Sequence, residues 1–425
     1  METYAQVLSY AIPGFVGLII IEYIASLLMG KSVGNAMDTI SSLSSGMTNT
    51  LKEILGLALV IVSYGWMVDH IALFSIQSEV WLYILCFVLV DFASYWSHRF
   101  NHEINVMWNR HIIHHSSEEF NLSCALRQSI SGIVGVYFFL YIPLAVIGIP
   151  GNIIAIVAPL HLFGQFWYHT RLIDRMGPLE HIIVTPSHHR VHHAINPEYI
   201  DKNYAAIFII WDKMFGTFQE EDVDVPPVYG VKKPVLTWNP FLINFQHITS
   251  LVLDAWRTKS LTDKVKLWFM PTGWRPKDVA EQYPIETIED VYAYAKYMPE
   301  VPLGLKIWSG VQLVIINALM YFMLVQIADI DATGVLLYSA FLGSSIFAYT
   351  SLMDKDKIAV PAELVKIALA YWIFQQYANW FQLSDILPFG QYYIVAYLTI
   401  SFFMTIYFTV RIGYESKAVA LRISS

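Results

Sequence analysis

The chain has 425 residues, of which 56% are hydrophobic and only 14% are charged. Soluble domains carry about 25% charged residues, so this composition excludes an ordinary cytosolic protein and also a disordered chain. The net charge is −8 and no basic run occurs, which argues against nucleic acid as a partner. The composition therefore predicts an integral membrane protein.

Nine apolar stretches come close to the roughly 20 residues that a helix needs to cross the hydrocarbon core of a bilayer. In chain order they are Ile12–Met29, Ile54–Val68, Val80–Trp96, Ile130–Ile149, Ile153–Tyr168, Leu305–Ile327, Gly334–Leu352, Leu364–Leu383 and Tyr392–Val410. The fourth and fifth are short, so they are also compatible with a hairpin that enters and leaves on one side. The sequence predicts an all-α, polytopic helix bundle of about nine spans.

The basic residues lie on one side of this arrangement. One set of connections comprises residues 1–11, 69–79, 147–152, 328–333 and 384–391, and it contains no Lys or Arg. Because cytoplasmic loops are enriched in Lys and Arg, we expect the amino terminus outside or in a lumen and the carboxyl terminus in the cytoplasm. Both the endoplasmic reticulum and a bacterial inner membrane are compatible with this orientation. No basic residues precede the first apolar stretch, which predicts a retained helix rather than a cleaved signal peptide.

We predict four regions along the chain. Residues 1–79 form N-terminal membrane helices, residues 80–218 a histidine-rich catalytic region, residues 219–300 a cytoplasmic segment and residues 301–425 a four-helix membrane region. In the third region, Phe241–Trp256 and Leu261–Met270 mix large apolar residues with nearby basic ones. This mixture is typical of helices in the membrane interface, and it is equally compatible with helices packed on a cytoplasmic domain.

Twelve of the 14 histidines lie between His98 and His193, and eight of them form three clusters on the predicted cytoplasmic side. The clusters have the spacings HxxxH, HxxHH and HxxHH, and their members are His98, His102, His111, His114, His115, His189, His192 and His193. Residues four apart share a helix face, and we expect His111, His114 and His115 to share one as well. Eight imidazoles exceed the three or four ligands of one zinc ion, so the sequence predicts two metal ions. Imidazole suits zinc, copper, iron and nickel, and redox chemistry on a lipid favours iron.

Other polar residues near the clusters are candidates for supporting roles. His169 and His161 recur at helical spacing with Gln165 and are candidate ligands, although His161 lies about two turns deeper and equally fits a buried core histidine. We expect His188 to support the ligands, and we expect no metal role for the three isolated histidines, His70, His181 and His247. Four carboxylates are candidates for orienting ring N–H groups, namely Glu103, Glu118, Glu180 and Asp201. We expect Asp91, inside the third span, to face the interior of the bundle.

These clusters at the ends of apolar stretches resemble those of the fatty acid hydroxylase/sterol desaturase superfamily. Longer strings are similar to one branch, the alkylglycerol monooxygenases, and they are His98–Glu103, His111–Glu118, Asn121–Ser129, Gln165–Thr170, Gly177–Glu180, Thr185–His193, Asp201–Tyr204 and Ile210–Phe218. The resemblance covers roughly residues 80–275. It departs at Gln165, where many members of the superfamily have a histidine.

The resemblance implies two iron ions, dioxygen as substrate and tetrahydrobiopterin as reductant. It implies hydroxylation of the carbon next to the ether oxygen of an alkylglycerol lipid, with release of a fatty aldehyde from the resulting hemiacetal. Glu103 matches an acidic residue that this branch needs for activity, whereas no motif identifies the pterin-binding residues or the number of subunits. Two alternatives stay open: a sterol or fatty-acyl hydroxylase or desaturase of the same superfamily, and a membrane metal-binding or transport protein.

Overall fold

A computed structural model describes residues 2–57, 59–76, 79–132 and 134–423. Within this part of the chain the fold is helical, apart from a parallel pair of two-residue strands, β1 (Leu59–Val60) and β2 (Val134–Gly135). The α-helices are α1 Glu2–Met29, α2 Ala36–Ile54, α3 Tyr64–Ile71, α4 Val80–Glu103, α5 Asn105–Trp108, α6 Ile112–His115, α7 Ile142–Ile147, α8 Gly151–Phe163, α9 Pro186–His192, α10 Ile210–Phe215, α11 Pro240–Arg257, α12 Leu261–Lys266, α13 Lys277–Gln282, α14 Leu303–Val325, α15 Ala332–Met353, α16 Ala359–Gln376, α17 Asn379–Ile386 and α18 Gly390–Ile423. Short 3₁₀ helices cover Cys124–Leu126, Val136–Tyr141 and Gly177–His181. The prediction of an all-helical protein is confirmed.

Five helical stretches among the described residues are long and apolar enough to cross a membrane. They are Val7–Met29, Val80–Glu103, Leu303–Val325, Ala332–Met353 and Gly390–Gly413, and they coincide with five of the nine predicted spans. Two shorter apolar stretches, Val136–Ile147 and Gly151–Phe163, coincide with the predicted short pair.

The predicted spans Ile54–Val68 and Leu364–Leu383 are wrong as single helices. α2 ends at Ile54, and α3 begins only at Tyr64. Between them Gly56 has a φ of +61°, a conformation that glycine adopts without steric cost and that commonly ends a helix. The second stretch is divided between α16 and α17.

The two largest apolar clusters among the described residues hold most of the long helices together. The larger core lies among α2, α14, α15 and the helices that follow, where Met47, Ile316, Phe341 and Ile373 are buried. The smaller core packs α4 against α7 and α8. The histidine clusters lie beyond the end of this smaller core, because the first histidine pair occupies the last two turns of α4.

α11 packs against the second histidine cluster. Asn239 caps this helix by accepting a hydrogen bond from the main-chain N–H of Phe241. Ile243 is fully buried beside Ile112 and Ile113. α11 therefore supports the histidine region directly, which was one of the two arrangements that its sequence allows.

Candidate metal centre

α4 carries the first histidine pair at its carboxyl end. His98 and His102 are four residues apart, so they share a helix face, and their ring centroids are 5.2 Å apart. The end of the helix is fixed by the hydroxyl of Thr272, which donates to the main-chain oxygen of His102. Nε2 of His98 lies 2.8 Å from Nε2 of His111. The first and second clusters therefore face each other.

The histidines of the second cluster have two different partners, one in the first cluster and one after α8. Nε2 of His115 lies 3.2 Å from Nε2 of His102. Nε2 of His114 instead lies 3.4 Å from Nε2 of His169, which follows α8. The ring centroids of His111, His114 and His115 lie 4.8 to 5.5 Å apart, so all three face the centre, as expected. His114 differs from the other two because its Nε2 is directed to His169.

The third cluster is divided in the same way. The ring of His192 lies 4.4 Å from that of His98, on the side of the first cluster. Nε2 of His189 lies 2.8 Å from Nε2 of His169 and 3.0 Å from Nε2 of His193. The two HxxHH clusters therefore interleave, since each contributes to both sides.

The result is two groups of histidines, in each of which the available nitrogen atoms lie within 4.8 Å of one another. We name the first the five-histidine group, and its members are His98, His102, His111, His115 and His192. We name the second the four-histidine group, and its members are His114, His169, His189 and His193. Nine of the ten histidines predicted as ligands thus come together.

The spacing of these nitrogen atoms fits metal ligation. Neighbouring Nε2 atoms are separated by 2.8 to 3.4 Å. Nitrogen ligands bound about 2.0–2.1 Å from one ion are roughly 3 to 3.5 Å apart, depending on the coordination angle. In addition, Nε2 of His192 is buried and has no hydrogen-bond partner in the protein. Buried polar atoms normally have a partner, and a metal ion would provide it here.

Burial favours the neutral form of imidazoles in both groups. Burial and the proximity of other histidines lower the pKa far below the usual value of histidine for His111, His114, His115, His189, His192 and His193. Burial also lowers the pKa of His169 to about 4. Because a histidine must be neutral to ligate a metal, the site is electrostatically prepared for ions.

His161 lies outside both groups. Its Nε2 is 2.7 Å from Oδ1 of Asp91, and its Nδ1 is 3.2 Å from Nε2 of Gln165. Asp91 is fully buried and also accepts hydrogen bonds from the main-chain N–H of Ile207 and the indole N–H of Trp211. Asp91 therefore faces the interior as expected, and with His161 it anchors the segment that leads into α10.

Asp201 is the predicted carboxylate that lies beside a ligand ring. Its Oδ1 is 3.5 Å from Nδ1 of His102, and the carboxylate is about half exposed. Glu103 instead accepts a hydrogen bond of 2.8 Å from Nε of Arg99. Glu103 is thus at the edge of the site, next to a ligand in sequence but paired with an arginine.

The other two predicted carboxylates have different partners, so the expectation that they orient ligand rings is wrong. Glu118 accepts a hydrogen bond from the hydroxyl of Tyr294. Glu180 accepts one from the hydroxyl of Thr185. His188 also contacts Thr185: its Nδ1 accepts a hydrogen bond from the main-chain N–H of Thr185, and this bond caps the first turn of α9. His188 therefore supports the third cluster through the helix that carries it.

The isolated histidines lie outside both groups, as expected. Nδ1 of His70 is 2.8 Å from the main-chain oxygen of Trp66. Nε2 of His247 is 2.7 Å from the main-chain oxygen of Asn105. His181 ends a 3₁₀ helix.

Sequence reasoning missed two residues that shape the site. Asp212 is fully buried and accepts hydrogen bonds from the main-chain N–H groups of Tyr204 and Ala205. The side-chain amide of Asn203 donates to the main-chain oxygen of His188. The sequence signal for Asp212 was an acid among apolar residues in the string Ile210–Phe218. Its hydrogen-bond donors, Tyr204 and Ala205, reach it only because the chain folds back after residue 205.

Comparison with known proteins gives the class of this site. The fatty acid hydroxylase family matches residues 83–217, a range that contains all three histidine clusters and His169. The apolar helices, the histidine groups and this match define an integral membrane, oxygen-dependent oxidoreductase. No solved structure matches the chain.

The branch is also shown. The chain is 34% identical to alkylglycerol monooxygenase of Homo sapiens over 381 residues, which cover 88% of this chain and 84% of that protein. It is 39% identical to alkylglycerol monooxygenase of Danio rerio over 280 residues (65% and 61%), and 40% identical to that of Xenopus tropicalis over 262 residues (61% and 57%). The chain belongs to the alkylglycerol monooxygenase family, which confirms the resemblance found in its sequence.

Proposed function

We propose that the two histidine groups hold two iron ions and that the protein hydroxylates the carbon next to the ether oxygen of alkylglycerol lipids. The hemiacetal formed in this way breaks into a fatty aldehyde and a glycerol derivative. The observation that carries the proposal is the convergence of nine imidazoles, six of them buried, into two groups, in a chain that belongs to the alkylglycerol monooxygenase family.

The reaction has to balance two electrons. One atom of dioxygen enters the C–H bond and the other leaves as water, so a reductant must supply two electrons and two protons. We propose tetrahydrobiopterin for this role, on the basis of family resemblance. Iron ions bound at the imidazoles would supply the activation of dioxygen.

The protein's own residues hold the reacting centre apart from bulk water. The proposed ligands are the nine histidines of the two groups, and His161 is left out because Asp91 and Gln165 occupy both of its ring nitrogens. Except for His98, His111 and His114, which are partly exposed, these nine rings are buried. They lie at the end of the apolar helix α4, so an alkyl tail can remain among the membrane helices while the ether oxygen reaches the centre.

We propose that the centre faces the cytoplasm and that the amino terminus lies on the opposite side of the membrane. That side is the lumen if the membrane is the endoplasmic reticulum, and the cell exterior if it is a bacterial inner membrane. The path of the chain supports this sidedness. Lys52, near the end of α2, donates to the main-chain oxygen of Ser129 beside the histidine region. Tyr64 of α3 donates to the main-chain oxygen of Ile149, which shares an apolar cluster with Leu82 at the opposite end of α4. The interrupted stretch between them therefore runs from one end of α4 towards the other, which supports one crossing by this segment.

An aldehyde assay tests the proposal. The detergent-purified protein, loaded with iron(II), would be incubated with a 1-O-alkylglycerol, tetrahydrobiopterin and dioxygen. We expect an aldehyde with the chain length of the alkyl group, and none when the pterin is omitted. A hydroxylated or desaturated product from a parallel fatty acid or sterol incubation, without aldehyde from the ether lipid, would overturn it. Metal uptake into vesicles without any oxidised lipid would support a transport protein instead.

Glu103 offers a second test within the site. Its carboxylate pairs with Arg99 and contacts no ligand nitrogen, so we propose that it serves the reaction without holding iron. Glu103→Gln should lower aldehyde formation at least about tenfold while iron content stays at the wild-type level. The matched variant Glu281→Gln changes an exposed acid on α13 and should keep full activity. Loss of iron in Glu103→Gln would contradict this role.

A further inference from the structure

A four-residue segment, Asp201–Tyr204, runs along the five-histidine group, and we name it the strap. The main-chain oxygen of Tyr204 lies 2.7 Å from Nδ1 of His98. The main-chain oxygen of Lys202 lies 2.9 Å from Nδ1 of His192. Because a carbonyl oxygen only accepts hydrogen bonds, both Nδ1 atoms carry the hydrogen, and both Nε2 atoms present a lone pair to the group.

The first residue of the strap reaches a third ring. Oδ1 of Asp201 lies 3.5 Å from Nδ1 of His102. Asp201 and Asn203 have φ values of +58° and +55°, a left-handed conformation that Asp and Asn tolerate better than most residues. These two bends turn the strap around the group, so that two rings donate to main-chain carbonyls and a third lies 3.5 Å from a carboxylate oxygen.

The strap is fixed from behind by contacts that do not involve the rings. The side-chain amide of Asn203 donates to the main-chain oxygens of His188 and Gln219, at 3.1 and 2.7 Å. The carboxylate of Asp212 accepts the main-chain N–H groups of Tyr204 and Ala205, at 2.8 and 2.9 Å. The acceptors are therefore held in place whether or not an ion is bound.

The four-histidine group has less support of this kind. Nδ1 of His169 lies 3.0 Å from the main-chain oxygen of Gln165. Nδ1 of His189 is buried without a hydrogen-bond partner. This group thus contains a ring that lacks an acceptor on its outer nitrogen, and within the described residues no single segment of chain supports several of its rings.

We propose that the strap positions three ligands of the five-histidine group, and that this group consequently holds its ion more tightly than the four-histidine group does. The proposal rests on the iron centre proposed above. An acceptor on the outer nitrogen fixes the tautomer and orientation of a ligating histidine and raises its basicity, and removing one typically weakens metal binding about 10- to 100-fold. Asp201, Asn203 and Asp212 are positioning residues in this arrangement, since none of them lies among the ligand nitrogens.

The test compares two substitutions that both tolerate the left-handed conformation at residue 201. Asp201→Gly removes the acceptor, whereas Asp201→Asn retains a side-chain oxygen in its place. Each would be introduced into a chain that keeps only the five-histidine group, because His114→Ala and His189→Ala disable the other. The measurement is the rate at which bound iron(II) passes to an excess of chelator. We expect about tenfold faster release for Asp201→Gly and a rate near that of the parent for Asp201→Asn.

A control chain that keeps only the four-histidine group shows whether the effect of Asp201→Gly is confined to the five-histidine group. In a chain that keeps only the four-histidine group, produced by His111→Ala and His115→Ala, Asp201→Gly should leave the release rate unchanged. The exposed acid Glu198 precedes the strap, and Glu198→Ala should change neither rate. Equal acceleration in both backgrounds, or no acceleration in the first, would overturn the proposal.

The outcome is independent of the lipid reaction. A wild-type protein that retains two iron ions but forms no aldehyde would contradict the proposed reaction and leave the role of the strap intact. A wild-type protein that retains no iron would overturn the centre and the strap together. Asp212→Asn, which disturbs the anchor of Tyr204, should accelerate release in the first background and not in the second.

Discussion

Two of the buried polar clusters in the described part of the chain satisfy their polar atoms in different ways. Between the C-terminal helices, Lys366 pairs with Glu363 at 2.5 Å and donates to the hydroxyl of Ser401. Gln312 donates to the same hydroxyl and accepts from the hydroxyl of Tyr397. Opposite charges and complementary donors and acceptors therefore pair most polar atoms of this network within the protein, and Oε1 of Glu363 is compensated by the charge of Lys366 rather than by a hydrogen bond.

The histidine centre contains nine side chains of one kind. Burial lowers the pKa of His111 in one group and of His189 in the other, so neutral rings face one another with nitrogen atoms 2.8 to 3.4 Å apart. Nε2 of His192 has no protein partner at all. The difference teaches that opposite charges compensate one another inside the protein, whereas a cluster of like acceptors requires ions to compensate it.

The largest expected effect is the loss of a ligand. His114→Ala and His192→Ala each remove one nitrogen from a different group, so each should lower activity more than about 100-fold and bound iron by about one equivalent. Helical content should persist, because the spans do not depend on these rings. Activity, iron content and circular dichroism of the purified variants measure this. Full iron content in either variant would contradict the ligand assignment.

The complementary network should respond in the opposite way. Lys366→Met leaves the buried carboxylate of Glu363 without its partner, which should destabilise the protein by about 3–5 kcal/mol. Iron per folded chain should not change. Unfolding in detergent and iron analysis check both statements. The double variant Lys366→Met with Glu363→Leu should recover most of the stability, and a similar loss in both variants would show that packing rather than charge matters there.

Acid should destabilise the histidine centre of the iron-free protein. The pKa of His169 is about 4 in the folded protein, against about 6.5 for an unperturbed histidine. As the pH falls from 6.5 towards 4, the unfolded chain takes up a proton that the folded chain refuses, so stability declines in this window by about 1.4 kcal/mol per pH unit for each such histidine. The unfolding midpoint of the iron-free protein should therefore be lower at pH 5.5 than at pH 7.5. Equal midpoints would contradict this, and the iron-loaded protein, in which ions hold the rings neutral, should show a smaller difference.

The smallest effect is expected outside both regions. His70 is exposed and contacts only its own helix, at the main-chain oxygen of Trp66. His70→Ala should change stability by less than about 0.5 kcal/mol and leave activity and iron content unchanged. A clear loss of iron in this variant would mean that histidine substitutions act through general unfolding.

Local spacing explains what the sequence could predict about the site. The i, i+4 pair of His98 and His102 follows from helix geometry alone, and its location at the end of α4 follows from the apolar run before it. The division of the second cluster could not be predicted, because His114 is directed to His169, which comes from a distant part of the chain. His161 had the right spacing, but a buried aspartate on α4 takes its ring nitrogen.

The membrane region shows the same limit. Apolar length identified the five uninterrupted helices, whereas the break after Ile54 depends on a turn at Gly56 that hydropathy does not register. Asp212 was not singled out, since its two main-chain donors become neighbours only when the chain folds back over α10. The division into four regions at residues 79, 218 and 300 stays a prediction.

The measurement that tests the central claim most directly is the number of iron ions bound per chain in the detergent-purified protein, compared with that in His114→Ala and His192→Ala. We predict two ions in the wild type and about one in each variant, from different groups. A single ion in the wild type, or two ions retained in both variants, would contradict a centre built from two interleaved histidine groups.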